Sequence, residues 1–244
     1  FKLVPGGVES NLPDWQMPTL ITLNLLAIVS AFLGGIQLVR GFGNRTNLVL
    51  AIVSGLFIFG FLAWAAADKS LNLAGLLNTS LSKAVPLTLG ALSGVLCERA
   101  GVVNIAIEGM MLAGAMVGAL VGSISGSLWV GLFAAVLTGA VLGLVHAVLS
   151  IKYLTDQIIS GTVINIFAVG ITSFISSKFM QTNLSLNNPG IFSPIEIPLL
   201  SRIPILGPIL FNNNIFVYAM FIFMIVLQIG LFRTRWGLRL RSVR

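Results

Sequence analysis

The chain has 7 acidic residues among 244, and one of them, Glu108, stands inside an apolar run. A carboxylate at membrane depth costs about 2.5–3.5 kcal/mol on insertion scales, so it turns towards a bundle interior or a wet path rather than towards lipid. Asn104 precedes it by four residues and shares its face if the segment is helical. Glu108 would then lie about 10 Å along that helix from a turn at Gly101. Two readings are open: the Asn104–Glu108 strip borders a path for a polar cargo, or Glu108 meets a polar group of a neighbouring helix and locks packing. Asn165 echoes Asn104, since each is followed five residues later by glycine, Gly170 and Gly109 respectively. Transporters are often built from repeats with the binding site at the repeat interface, although a chain with 26 glycines can produce so short a match by chance.

Other chemistries lack their parts. No Gly-x4-Gly-Lys-Ser/Thr occurs, so a P-loop nucleotide site is not expected in this chain. Intramembrane serine proteolysis needs a serine with a histidine at matching depth. The nearest serine, Ser93, and the single histidine, His146, fall on different apolar runs. One histidine and one cysteine, Cys97, argue against a metal site or an internal disulfide. No span carries regularly spaced arginines, as voltage sensing requires. A channel or an ion-coupled secondary transporter stays open. His146, one turn from the end of its run, reads as an interfacial residue. Thr155 and Asp156 read as an N-cap and a first-turn acid.

These residues must be positioned by membrane helices. Hydrophobic residues make up 57% of the chain and charged ones 9%, against roughly 25% charged in ordinary soluble domains. Seven apolar runs are long enough to count as spans, at 18–39, 48–67, 84–97, 102–122, 128–149, 157–178 and 214–232. The expected class is therefore an all-α polytopic bundle of about seven spans. Ala84 to Val121 would be about 57 Å long as one helix, so it must fold back, and Glu98-Arg99-Ala100-Gly101 is the expected turn. With the N-terminus outside, nine of the 14 basic residues fall inside (Arg40, Arg45, Arg99, Lys152, Arg233, Arg235, Arg239, Arg241, Arg244). Of the acids, Glu98 and Asp156 fall inside, and Glu9, Asp14, Asp68 and Glu196 outside. The basic excess is thus an orientation signal rather than a nucleic-acid footprint. Trp15, Trp64, Trp129, Tyr153, Tyr218 and Trp236 flank span ends, where amphipathic rings settle.

Glycine recurs every fourth residue at Gly114, Gly118 and Gly122, and again at Gly139 and Gly143, a pattern that lets helix backbones approach closely. Residues 179–213 hold five of the nine prolines, including Pro189 and Pro204, and read either as a docking surface or as an ordinary loop. Five arginines from Arg233 to Arg244 could anchor to anionic headgroups at about 1 kcal/mol each.

Three motifs carry a resemblance to a known family: Cys97-Glu-Arg-Ala-Gly-Val-Val-Asn104-Ile-Ala-Ile-Glu108-Gly109, Asp156-Gln-Ile-Ile-Ser-Gly161-Thr-Val-Ile-Asn165, and Thr234-Arg-Trp-Gly237-Leu-Arg-Leu-Arg241-Ser-Val. The chain resembles the permease subunits of bacterial ABC importers for nucleosides and simple sugars, the basic-membrane-protein type, which are more distantly related to branched-chain amino acid permeases. The resemblance covers 80–244 and leaves 1–79, with two extra spans, outside it. It implies alternating access in the bacterial cytoplasmic membrane, with no cofactor in this chain and no catalysis by it. The implied partners are a second permease, a cytoplasmic ATPase that binds ATP and Mg, and an extracytoplasmic substrate-binding lipoprotein. It places Asn104, Glu108 and Asn165 beside the substrate path, and Arg233, Arg235, Gly237, Arg239 and Arg241 where ATPase movement is transmitted. Family members continue past Arg244 with most of the coupling loop and the closing spans, so the sequence as given is expected not to transport by itself.

Overall fold

An apolar run in hydrocarbon must satisfy its own backbone, which only a helix or a closed barrel can do. The computed structural model describes residues 2–4, 15–67, 69–203 and 206–242. Glu9, Asp14, Asp68, Pro204 and Arg244, used in the charge and loop readings above, lie outside these residues. Within them the chain is an all-α polytopic bundle, with seven helices long and apolar enough to cross a membrane. The chain divides into two units, Phe1–Leu81 with Glu196–Asn213, and Ser82–Ile195 with Asn214–Arg244.

In the first unit, helices α1 (Thr19–Val39) and α2 (Thr46–Ala65) form a hairpin through the turn at 40–45, with Leu23 and Leu26 of α1 against Gly60 of α2. No residue of α1 is buried. A helix this apolar and this bare belongs in lipid. A small sheet places β1 (Lys2–Val4) between β2 (Trp15–Gln16), antiparallel with Leu3 opposite Trp15, and β3 (Ser70–Asn72), parallel with Lys2 opposite Ser70.

The boundary between the units falls within α3 (Leu73–Arg99). This helix is longer than the expected run 84–97, because Asn78, Ser80, Ser82 and Lys83 dilute its first half without breaking the helix. Asn78 finds its partners inside the first unit, donating to the Pro208 carbonyl at 2.9 Å and to Asn213 Oδ1 at 3.1 Å.

The second unit is built on α4 (Ile107–Ser125), α5 (Leu128–Ala147), α6 (Gln157–Ile175) and α8 (Ile215–Arg233); the short α7 (Leu206–Leu210) belongs to the first. Helices α4 and α5 meet along glycines. A Cβ on Gly131 of α5 would lie 2.6 Å from the Gly118 carbonyl and 2.9 Å from Gly122 Cα, and one on Gly114 would lie 3.2 Å from the Ala135 carbonyl. Gly139 and Gly143 have nothing within 4 Å. Gly139 instead lines an apolar recess of about 530 Å³ with Pro86, Ser93, Met111 and Phe216. The loop after α6 is fastened across the helix ends: the Asn188 N–H donates to Ser123 Oγ at 3.0 Å, and Phe192 stands edge-on to both Trp129 and Phe216 at 5.3 Å.

One boundary differs from expectation in a way that matters below. The fourth span does not begin at 102 but at Ile107, and residues 102–106 are not helical.

At the α4–α5 contact, Gly131→Val leaves the backbones no room and is expected to lower the melting temperature of the purified chain in detergent by several degrees, overpacking costing about 1–3 kcal/mol. Gly139→Ala, facing open space, should leave it within about a degree. A thermal scan of the two variants against the parent checks the pair.

Candidate functional site

Helix α3 ends in a Schellman motif. Gly101 takes φ +78°, its N–H donates to the Glu98 carbonyl at 3.1 Å, and the Val102 N–H reaches back to the Cys97 carbonyl at 3.0 Å. The expected turn is therefore present. The chain then runs as a non-helical strap, residues 102–106, before α4 begins. Alternation along it follows a period of two: Val103 and Ile105 are 50% and 42% exposed, whereas Ala106 is buried.

An extended segment cannot bond its backbone to itself, so its polar groups need partners from elsewhere. Side chains of α5 and α6 provide them. Gln157 Oε1 accepts from the Val103 N–H at 2.6 Å, His146 Nε2 lies 3.3 Å from the Val103 carbonyl, and Asn165 Nδ2 donates to the Ile105 carbonyl at 2.9 Å. Asn165 Oδ1 also accepts from the Gly109 N–H at 2.8 Å, and Asn104 Oδ1 accepts from the Ala106 N–H at 2.9 Å. The N–H groups of Ala106 and Gly109, at the start of α4, are thus met by amide oxygens.

Close approach makes these bonds possible. A Cβ on Gly161 would lie 3.2 Å from the Ala106 nitrogen, and one on Gly109 would lie 2.7 Å from Asn165 Oδ1 and 2.9 Å from its Cα. The Asn-x4-Gly echo thus touches itself in part: Asn165 of the second copy clamps Gly109 of the first, while Gly170 has nothing within 4 Å. The cap of α6 is Asp156 itself, accepting from the N–H groups of Ile158 and Ile159 at 2.8 and 3.1 Å, one residue later than the expected Thr155.

The structure corrects two sequence expectations here. Asn104 and Glu108 do not share a helical face, because the helix starts between them; Asn104 turns its amide towards Cys97 Sγ and Met110 Sδ, 3.9 and 3.8 Å away. Glu108 is exposed in the first turn of α4, where the helix dipole favours an acid. It makes no side-chain hydrogen bond or ion pair among the described residues. His146 is not an interfacial residue but is 2% exposed, bridging Ser160 Oγ at 3.1 Å and the Val103 carbonyl. A carbonyl only accepts, so Nε2 carries the proton that faces Val103, and Nδ1 pairs with the Ser160 hydroxyl. Gln157 and Ser160 were given no role by the sequence reading, although both stand in the Asp156–Asn165 motif and share a polar face on the first turn of α6.

The Arg-rich end is a second feature. Thr234 leaves the helical region, caps the new helix α9 (Arg235–Ser242) by accepting from the Gly237 N–H at 3.2 Å, and donates to the Gly230 carbonyl at 2.6 Å. Gly237 is buried where a Cβ would collide with the carbonyls of Gly230 and Leu231. Arg241 lies over the Phe232 ring at 5.1 Å, and Arg233, Arg235 and Arg239 are exposed.

Gly109→Ala drives a methyl into Asn165 and is expected to destabilise the purified protein by about 1–3 kcal/mol, read as a lowered melting temperature. Gly170→Ala, with open space around it, should not. Equal effects of the two would contradict the Asn165–Gly109 clamp.

Comparison with known proteins places the chain. The profile of a family described as "Branched-chain amino acid transport system / permease component" matches residues 76–244, which contain the strap, α4 to α6 and the Arg-rich end. The chain is 37% identical over 174 residues to the guanosine ABC transporter permease protein NupQ of Bacillus subtilis, covering 67% of this chain and 54% of that protein. It is 34% identical to the putative glucose ABC transporter permease protein TsgC13 of Haloferax volcanii (70% and 51% covered) and 34% to the nucleoside ABC transporter permease protein NupC of Lactococcus lactis (65% and 52%). The chain spans about half the length of these relatives. No solved structure matches it significantly. With the matched family covering more than half of its length, this multi-pass membrane protein belongs to the family of permease components of the branched-chain amino acid transport type.

Proposed function

We propose that the chain is part of a permease subunit that moves nucleosides or simple sugars into the cytoplasm of a bacterial cell in an ATP-driven importer. The observation that carries this reading is the agreement of three relatives at 34–37% identity, named for guanosine, nucleoside and glucose transport. Their cargoes are neutral and rich in hydroxyl and amide groups. A path with a single ionisable side chain, Glu108, and a carboxamide at Asn104, its neighbour Asn165 holding the backbone that borders it, suits such molecules better than it suits ions.

The subunit pairs with a second permease and rests on an ATPase that binds ATP and Mg, while a substrate-binding lipoprotein delivers cargo from the other side. ATP binding and release rock the two permeases, so that the cavity between them opens first outwards and then inwards. In this arrangement the N-terminus lies outside and α9 lies at the cytoplasmic face. Arg233 at the end of α8 and Arg235 and Arg239 of α9, all exposed, meet the ATPase, and Gly237 holds α9 close against α8 so that movement passes into the bundle. Glycines 114, 118 and 122 of α4 serve helix packing against Gly131 and Ala135 of α5, whereas Gly139 and Gly143 face open space. No bond of the cargo is broken.

In the full-length permease assembled with its partners, Glu108→Gln and Asn104→Ala are expected to lower uptake of radiolabelled guanosine at least five-fold without reducing the amount of complex in the membrane. Unchanged uptake in both variants removes these residues from the path. Uptake should also vanish when the ATPase subunit is not co-expressed; uptake sustained by a proton gradient alone contradicts the importer reading in favour of a secondary transporter.

A further inference from the structure

We propose that Gln157, His146 and Asn165 are positioning residues that together latch the strap 102–106, and that release of this latch opens the inner end of the path. The proposal rests on the transport reading above and adds to it a moving part. Every latch bond lies on one edge of the strap: the Val103 N–H and carbonyl and the Ile105 carbonyl all turn to α5 and α6. On the opposite edge, the Asn104 N–H and carbonyl and the Val102 carbonyl have no hydrogen-bond partner among the described residues. The strap is therefore held from one side only.

It also has hinges. Gly101 sits at one end with φ +78°, and at the other Ala106 has helical φ and near-zero ψ (−75°, 0°) just before α4 starts. Of its side chains Ala106 is buried, whereas Val103 and Ile105 are half exposed and add little hold. Hydrogen bonds between side chains and an extended backbone can break and re-form without disturbing the helices that carry them, whereas a continuous helix through 102–106 would have to unwind. Shifting the strap moves Asn104 directly and loosens the Asn165 clamp on the first turn of α4, where Glu108 stands. Asn165 uses both ends of its carboxamide in that clamp. It thus acts on the path through the strap rather than by touching cargo.

Cys97 is a built-in reporter. Its carbonyl takes the Val102 N–H, and the Asn104 amide lies 3.9 Å from its half-buried sulfur, so a shift of the strap removes a neighbour of the thiol. The test uses the full-length permease in its assembled complex, reconstituted in liposomes. Labelling of Cys97 by a maleimide is followed in the resting state without cargo, and guanosine uptake per ATP hydrolysed is measured in parallel. Gln157→Met keeps the length of the side chain but loses the acceptor, whereas Gln157→Glu retains it. The expected result is at least five-fold faster labelling and a fall in uptake per ATP for Gln157→Met, with Gln157→Glu close to the parent. If Gln157→Met does not assemble, Asn165→Ser, which cannot span to the Ile105 carbonyl, is read in its place. The proposal is overturned if the acceptor-retaining and acceptor-lacking variants behave alike, or if labelling is unchanged in all of them. Absence of guanosine uptake by the parent complex would count against the transport reading alone, because the labelling arm needs no cargo.

Discussion

A backbone amide or carbonyl left without a partner away from water costs about 1–3 kcal/mol, and more in hydrocarbon. Five consecutive residues outside a helix, at the end of a membrane span, bring that cost into play several times over. In this protein it is met by side chains placed on two other helices, and much of the second unit follows from that arrangement. Gly161 must be glycine-sized for α6 to reach the strap, and Gly109 for Asn165 to straddle the start of α4. His146 must be buried between α6 and the strap to reach both Ser160 and Val103. Asp156, by capping α6, fixes the turn from which Gln157 reaches across.

The same constraint links fold to transport. A substrate path through a bilayer needs polar groups that face the cargo without leaving lipid-facing ones exposed, and irregular backbone is tolerated only where protein or a wet cavity covers it. The strap fulfils the second condition on its α5–α6 side. Glu108 gains from its position too: at the first turn of α4 the helix dipole offsets part of the cost that a mid-span carboxylate would carry. The glycine contact between α4 and α5 brings those two helices into close approach beside this irregular part.

Much of the architecture was legible in the sequence because hydrocarbon allows few alternatives. Apolar runs of span length had to be helices, and Gly101 after Glu98-Arg99 had to be a turn. The first half of α3 was hidden by Asn78, Ser80, Ser82 and Lys83, whose polarity is accommodated by local partners that a hydropathy reading does not see. The strap was hidden for the opposite reason, since Val-Val-Asn-Ile-Ala is apolar enough to pass for the first turn of a span. Its β-branched residues and the asparagine were the available cue to extended backbone. The latch could not be read at all: Gln157, His146 and Asn165 lie on different turns of two helices, and their common target appears only once the chain is folded. Spacing did identify Gly114, Gly118 and Gly122 as close-approach positions, but not that Gly131 is what α4 meets there.

The extended, side-chain-held strap is the claim on which the account stands, and a cysteine-accessibility scan tests it most directly. In the full-length complex with Cys97 replaced by serine, single cysteines at 102 to 108 would be labelled one at a time with a small maleimide. A strap of this kind gives alternation, with fast labelling at Val103 and Ile105 and slow labelling at Val102, Asn104 and Ala106, followed by helical periodicity from Ile107. A helical period running unbroken from Val102 would contradict it.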